Sequence, residues 1–140
     1  MRTTIISAFT YLSVVSILMF TSCQENKEEL PQELSIESKI ELLQQGEWLL
    51  KGFETNVMHT FKEGKEYTHY GKDGVFGEAI PGTKKYTITG NLLTIDYNFG
   101  NIKTFEVKFS CNNTIVEFYE KGILNSTYYK KDSNYKDCLD

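Results

Sequence analysis

Turn signals recur about every nine residues from residue 63 to residue 122, and this spacing narrows the fold more than any other feature of the chain. Between the turns, apolar and polar residues alternate in runs rich in Tyr, Phe, Thr, Ile and Val, most cleanly over residues 105–109. This pattern is typical of consecutive antiparallel hairpins. The turn signals are Glu63-Gly64, Asp73-Gly74, Gly90-Asn91, Phe99-Gly100-Asn101, Asn112-Asn113 and Lys121-Gly122.

The pattern predicts eight or nine short strands, and a meander of that length leaves two unpaired edges unless it closes into a barrel. The predicted fold class is therefore all-β: an antiparallel up-and-down meander closed into a small barrel. Ser38-Lys39-Ile40-Glu41 has the form of a capping box, which predicts a short helix before the barrel that ends near Gly46. With 140 residues, 40% of them hydrophobic, the chain suits one globular domain. We place the helix and barrel at residues 38–131 and a C-terminal tail at 132–140.

The N-terminus has the layout of a secretory signal. Met1-Arg2 is a short cationic start, and residues 5–20 form an apolar run broken only by Ser and Thr. This run is shorter than the roughly 20 residues that a membrane-spanning helix needs.

Phe20-Thr21-Ser22-Cys23 resembles the lipobox of bacterial lipoproteins, with Phe20 where Leu is usual. The resemblance implies that residues 1–22 are a signal peptide and that Cys23 becomes the lipidated N-terminus. The protein would then be held on a membrane by lipid rather than by a spanning helix.

Residues 24–34, QENKEELPQEL, are polar and acidic, so we predict a solvated tether over residues 23–37. Acidic residues after a lipidated cysteine also resemble the export signals of some Gram-negative lipoproteins. The predicted location is the outer membrane, facing either the periplasm or the cell surface. Removing the leader takes away one of 15 basic residues and none of the 19 acidic ones. An acidic chain without a basic stripe is not expected to bind nucleic acid.

From residue 46 to about residue 131 the chain resembles the lipocalin-like domains of bacterial lipoproteins. The residues that carry the resemblance are Gly46-Glu47-Trp48 and the runs HTFKEGKEYTHY, KKYTITGNLLTIDY, FEVKFSCNNTIVEFYE and STYYKK. It implies that Trp48 closes the barrel floor beneath a basic residue of the last strand. That residue would be Lys130 or Lys131, where the family usually has Arg.

The resemblance also implies a cup for a small apolar or amphipathic molecule. An eight-stranded barrel can hold one small ligand or be filled by its own side chains. Two functions therefore stay open: a ligand-binding protein, or a structural or protein-interaction module that docks an envelope partner. Seven aromatic residues are candidates to line or fill the barrel: Phe53, Phe61, Tyr67, Tyr86, Phe105, Phe109 and Phe118.

His59 and His69 both lie five residues from Gly64, so the sequence predicts that they are almost opposite one another across a hairpin. Two imidazoles can bind a metal, but a site normally needs three or four ligands. No third ligand is visible, so we predict no metal site and no cofactor.

Cys111 and Cys138 remain as a pair if Cys23 is lipidated. An even pair in an exported protein favours a disulfide over two free thiols. The bridge would hold the C-terminal tail against the end of the seventh strand.

The sequence contains no G-x-S-x-G, H-E-x-x-H or C-x-x-C motif and no glycine-rich loop that leads from a strand into a helix. We therefore predict a protein that is not an enzyme. An enzymatic alternative would require a polar cluster inside the barrel.

Overall fold

The computed structural model describes residues 33–139. The predicted signal peptide, Cys23 and most of the predicted tether lie outside the described residues. Residues 33–140 form a compact unit of their own.

Within the described range, the elements follow the predicted turns closely. They are α1 (Ile36–Gln44), β1 (Glu47–Leu50), β2 (Val57–Lys62), β3 (Lys65–Lys72), β4 (Val75–Ala79), β5 (Lys84–Thr89), β6 (Leu92–Asp96), β7 (Ile102–Ser110), β8 (Ile115–Glu120), β9 (Ile123–Lys130) and a 3₁₀-helix, η1 (Tyr135–Cys138).

Eight of these strands form a closed antiparallel barrel. Each pairs with its neighbour along the chain, except that β3 pairs with β5 and β4 pairs only with β3. The ring closes where β1 pairs with β9. The predicted all-β, up-and-down barrel with a short N-terminal helix is therefore confirmed, with β4 as an extra strand outside the ring.

Because neighbouring strands run in opposite directions, their connections alternate between the two ends of the barrel. Helix α1 leads directly into β1 and contacts β2 and β7, so it covers one end, which we call the helix end. Its Ile36, Ile40 and Leu43 are buried in the main core. The opposite end, which we call the far end, carries five connections: residues 51–56, 73–74, 80–83, 97–101 and 121–122.

The helix begins earlier than the capping box predicted. Ser35, not Ser38, is the N-cap, and its hydroxyl accepts a hydrogen bond from the Ser38 amide at 3.3 Å. A serine three residues upstream of Ser38 offers the same capping chemistry and adds one turn to the helix. This turn brings Ile36 into the core.

Aromatic and aliphatic side chains fill the barrel next to the helix. The Phe118 ring centroid lies 5.6 Å from that of Phe105 and 5.2 Å from that of Tyr128. Such edge-to-face contacts add to the stability gained from burial alone. The buried residues that the barrel contributes to this core are Trp48, Phe61, Tyr86, Leu93, Ile95, Phe105, Val107, Val116, Phe118 and Tyr128.

A second, smaller core lies on the outer wall of the barrel. Tyr135 of the tail stacks on Tyr129 with ring centroids 4.5 Å apart. Phe76 of β4 packs against the same cluster, together with Leu49. A Cβ on Gly71 would meet the Phe76 ring at 2.7 Å, so glycine lets β4 fold back over the wall. A groove of about 710 Å³ separates the β4 hairpin from the tail.

Candidate functional site

The Gly46-Glu47-Trp48 motif has a structural role at the helix end. The Trp48 side chain is fully buried, and its indole Nε1 donates a hydrogen bond to the Leu43 carbonyl at 2.9 Å. A Cβ on Gly46 would lie 2.7 Å from the indole. Glycine is therefore needed for the ring to lie against the chain just before β1.

No lysine forms a cation–π contact with Trp48 within residues 33–139, where the cations over aromatic rings are Lys84 and Lys108. Lys130 lies opposite Trp48 in the pairing of β1 with β9. Lys131 instead forms an ion pair with Glu47 at 2.7 Å. The cation expected to cover the barrel floor is therefore not placed over the indole.

Five of the seven candidate aromatic residues lie inside the barrel, but they contact one another. Phe61, Tyr86, Phe105 and Phe118 are buried, and Phe109 is partly buried with its ring centroid 5.8 Å from that of Trp48. These side chains fill the interior rather than line an empty cup.

The prediction is wrong for Phe53 and Tyr67. Strand β1 ends at Leu50, so Phe53 lies in the following turn with 57% of its surface exposed. Tyr67 follows Glu66, whose side chain points into the barrel, and successive strand residues point to opposite faces. Tyr67 therefore lies on the outer wall.

Charged side chains meet inside the barrel on the side of the far end. Glu66 is only 2% exposed, and its Oε1 lies 2.8 Å from His59 Nδ1 and 2.8 Å from Lys84 Nζ. An ionised carboxylate can only accept hydrogen bonds, so His59 carries a proton on Nδ1 and donates it. Two donors from neighbouring strands therefore converge on one buried oxygen.

The pairing keeps Glu66 ionised. Burial would raise the pKa of this carboxyl, but the hydrogen bond and charge of His59, together with Lys84, outweigh that effect and hold the pKa below its usual range. The negative charge is thus fixed in the barrel wall by its two partners.

Two tyrosines border this carboxylate. Lys84 Nζ lies 5.2 Å from the centre of the Tyr97 ring, and the Tyr128 ring packs edge-on against His59 at 5.3 Å. Burial, and after it the charge of Glu66, raises the pKa of Tyr97, and the same two causes raise that of Tyr128 to about 12. Both hydroxyls therefore stay protonated and can donate hydrogen bonds.

A second ion pair lies nearer the far end. Lys103 and Glu120 are 3.2 Å apart, and each side chain is about one third exposed. The charge of Glu120 also contributes to the raised pKa of Tyr97, which places the two ion pairs around the same tyrosine. We call these residues the far-end cluster: His59, Glu66, Lys84, Tyr97, Lys103, Glu120 and Tyr128.

The far-end cluster was not predicted, because a strand shifted by one residue exchanges its two faces. The hairpin turn has two residues, so His59 pairs with Thr68 while His69 pairs with Met58. The two histidines therefore lie on opposite faces, and the expectation that they face one another is wrong. His69 is outside, with Nε2 3.1 Å from Thr60 Oγ1 and Nδ1 3.0 Å from the Gly77 carbonyl.

One sequence signal could have revealed the cluster. In a hairpin centred on Gly64, His59 and Glu66 would lie on opposite faces of the sheet. With a two-residue turn they lie on the same face. No group of three or more His, Cys, Asp or Glu side chains that could hold a metal ion occurs within residues 33–139.

The structure joins Cys111 and Cys138 by a disulfide, with their Cα atoms 6.1 Å apart. The bridge ties η1 to the turn after β7, next to the stacked Tyr129 and Tyr135. The tail is thereby held on the outer wall, away from the far-end cluster.

Within residues 33–139 no helix has the length and apolarity needed to cross a membrane. Compared with known proteins, the chain matches no protein-family model, no curated protein and no solved structure.

Proposed function

We propose that this protein is a non-catalytic, lipid-anchored barrel of the lipocalin-like type that binds a small amphipathic molecule at its far end. The observation that carries the proposal is the far-end cluster, a set of charged and hydroxyl side chains that faces the barrel interior and is partly open to solvent. Binding sites typically combine a few converging polar groups of this kind with an apolar surface.

The accessible charges favour an anionic head group. Lys84 keeps 21% of its side chain exposed, whereas its partner Glu66 keeps 2%. A ligand at the far end therefore meets two ammonium groups, those of Lys84 and Lys103, and one accessible carboxylate, that of Glu120, before it meets the buried carboxylate. Charge-assisted hydrogen bonds from such donors are stronger than neutral ones.

The filled interior restricts the apolar part of the ligand. The rings of Phe61, Phe105 and Phe118 already occupy the middle of the barrel. The ligand's apolar part would therefore lie near the rim instead of entering a deep cup.

The cellular setting in this proposal rests on the sequence patterns. Lipidation at Cys23 and the acidic tether support an anchor in the outer membrane of a Gram-negative bacterium, with the barrel in the periplasm or at the cell surface. The tether would leave the barrel free to turn beside the membrane.

A protein-interaction module is the second candidate function. It is favoured by the groove on the outer wall, whose apolar lining includes Leu49, Phe76 and Tyr135. A module of this kind would need no free volume inside the barrel, which agrees with the packed aromatic residues.

Titration with dansyl-undecanoic acid, a fluorescent fatty acid, tests the first candidate. Lys103→Met removes an inward cation, and Lys108→Met is the matched control, because Lys108 lies on the same strand with an outward ion pair to Glu106. Loss of one charge-assisted hydrogen bond, worth about 1.5–3 kcal/mol, predicts at least tenfold weaker binding for Lys103→Met alone. Absence of saturable binding, or equal effects of both variants, would contradict the proposal and favour the interaction module.

A further inference from the structure

Each of the five far-end connections places an exposed apolar side chain in or directly beside the turn. Three of them carry Phe53, Ile80 and Phe99, and the other two are followed at once by Val75 and Ile123. Phe99 is fully exposed, and 73% of Ile123 is exposed. The far end therefore presents a ring of separate apolar tips.

The turns at the helix end differ in character. They consist of Glu63-Gly64, Gly90-Asn91 and residues 111–114, Cys-Asn-Asn-Thr, in which the cysteine is bridged. Among the described residues directly beside these turns, only Leu92 is a large exposed apolar side chain, at 41%, so exposed apolar residues are fewer at this end. They are concentrated at the end where the charged cluster opens.

The turn around Phe99 holds its ring outward at an energetic cost. Asn98, Phe99 and Gly100 all have positive φ, at 70°, 55° and 78°. Left-handed backbone is unfavourable for a side chain such as phenylalanine. Phe99 gains no packing within the described residues in return, since its surface is entirely exposed. A strained residue that packs against nothing in its own chain points to a contact with another molecule.

We propose that the far-end turns insert into the surface of a phospholipid bilayer, and that the amphipathic ligand is a lipid that enters the far-end cluster from that surface. This inference rests on the function proposed above and names the source of the ligand. Aromatic and aliphatic tips are stabilised at the boundary between head groups and acyl chains, while neighbouring charged groups stay among the head groups.

The charge of the far end suits a bilayer. Although acidic residues outnumber basic ones in the whole chain, the five connections are balanced, with Glu54 and Asp73 against Lys51 and Lys121. Lysine stems can lie along the acyl boundary with their ammonium groups in the head-group layer. A rigid protein surface would have to match several separate tips around a charged opening, whereas a bilayer adapts to them.

The predicted anchor is compatible with this orientation. Residues 24–32 span about 30 Å when extended, at roughly 3.3 Å per residue. Strand β7, the longest of the barrel, also has nine residues and a comparable length. The extended length of this predicted tether therefore equals that of the longest strand, which is compatible with contact between the far end and a membrane.

Co-sedimentation with large phosphatidylcholine vesicles tests the inference, using the chain from Gln24 onward so that an acylated cysteine cannot bind by itself. The expected result is binding that persists at high salt, because apolar insertion is not screened. The double variant Phe99→Ser, Ile123→Ser should lower partitioning at least tenfold. The matched control, Ile88→Ser with Leu92→Ser, removes two apolar residues that flank the helix-end turn Gly90-Asn91 and are 42% and 41% exposed, and it should leave partitioning unchanged.

Several results would overturn the inference: no sedimentation with vesicles, binding abolished by salt, equal losses in both double variants, or a lipid-free dimer that Phe99→Ser, Ile123→Ser dissociates. The dansyl-undecanoic acid titration separates this inference from the proposed function. Vesicle binding lost with probe binding intact refutes only the membrane contact. Vesicle binding intact with no probe binding refutes the ligand site.

Discussion

Replacing Glu66 by glutamine should destabilise the barrel strongly, because it removes the buried negative charge that both His59 and Lys84 approach at 2.8 Å and leaves only a neutral amide beside them. Breaking a buried ion pair by removing one partner typically costs about 3–5 kcal/mol. Lys84 keeps about a fifth of its side chain exposed and can regain some hydration. We therefore expect a loss near the lower limit, about 3 kcal/mol, out of the 5–15 kcal/mol typical of a domain.

Urea unfolding followed by the fluorescence of Trp48, the single tryptophan, measures this loss. Glu106→Gln is the matched control, since Glu106 pairs with Lys108 on the outer wall with both side chains about half exposed. An exposed pair contributes about 0–1 kcal/mol, so the control should be close to neutral.

The pH dependence gives the reasoning a second test. The pKa of Glu66 is lowered in the folded protein. Its contribution to the free energy of unfolding is therefore fully present above pH 4.5, the ordinary pKa, and is lost as the pH falls through the lowered pKa of the folded state. The stability gap between wild type and Glu66→Gln should therefore narrow below that pH. A loss under about 1 kcal/mol, a loss equal to that of Glu106→Gln, or a gap that widens in acid would refute the account of the buried pair.

The remaining predictions concern packing and the disulfide. Gly46→Ala should lower the free energy of unfolding by at least about 1–3 kcal/mol, because the new Cβ meets the Trp48 indole at 2.7 Å. Gly77→Ala is the control, since its Cβ has no neighbour closer than 3.7 Å, and it should cost less in the same urea assay. Phe118→Ala should cost about 3–5 kcal/mol through the cavity that it leaves among stacked rings, and unchanged stability would mean that the barrel centre is not packed. Cys138→Ser should cost about 3.5 kcal/mol in the chain-entropy model for a 27-residue separation. Calorimetry with and without reductant should give equal melting temperatures for this variant but not for wild type.

The strands were predictable because each turn is encoded locally. Glu63-Gly64 and Lys121-Gly122 place left-handed backbone where glycine allows it, and each of these turns starts a new strand in the structure. The barrel then follows from the need to pair two edges, which requires no knowledge of individual contacts.

The interior was harder to predict, because one residue more or less in a turn reverses which side chains of the next strand face the interior. A hairpin centred on Gly64 would pair His59 with His69 on one face of the sheet. The two-residue Glu63-Gly64 turn pairs His59 with Thr68 instead, so His59 points inward and His69 outward. The contact between Glu66 and Lys84 was hidden for another reason. It requires β4 to leave the ring so that β3 can pair with β5, and the bulge that redirects β3 has no local sequence signal apart from Gly71.

Native mass spectrometry of the chain from Gln24 onward, released from the envelope of cells that produce it naturally, tests most directly the claim that the far end binds an amphipathic ligand. The account predicts a discrete added mass that disappears on organic extraction, persists in Lys108→Met and is lost in Lys103→Met. A bare mass in the wild-type protein, with no uptake of dansyl-undecanoic acid, would contradict the account.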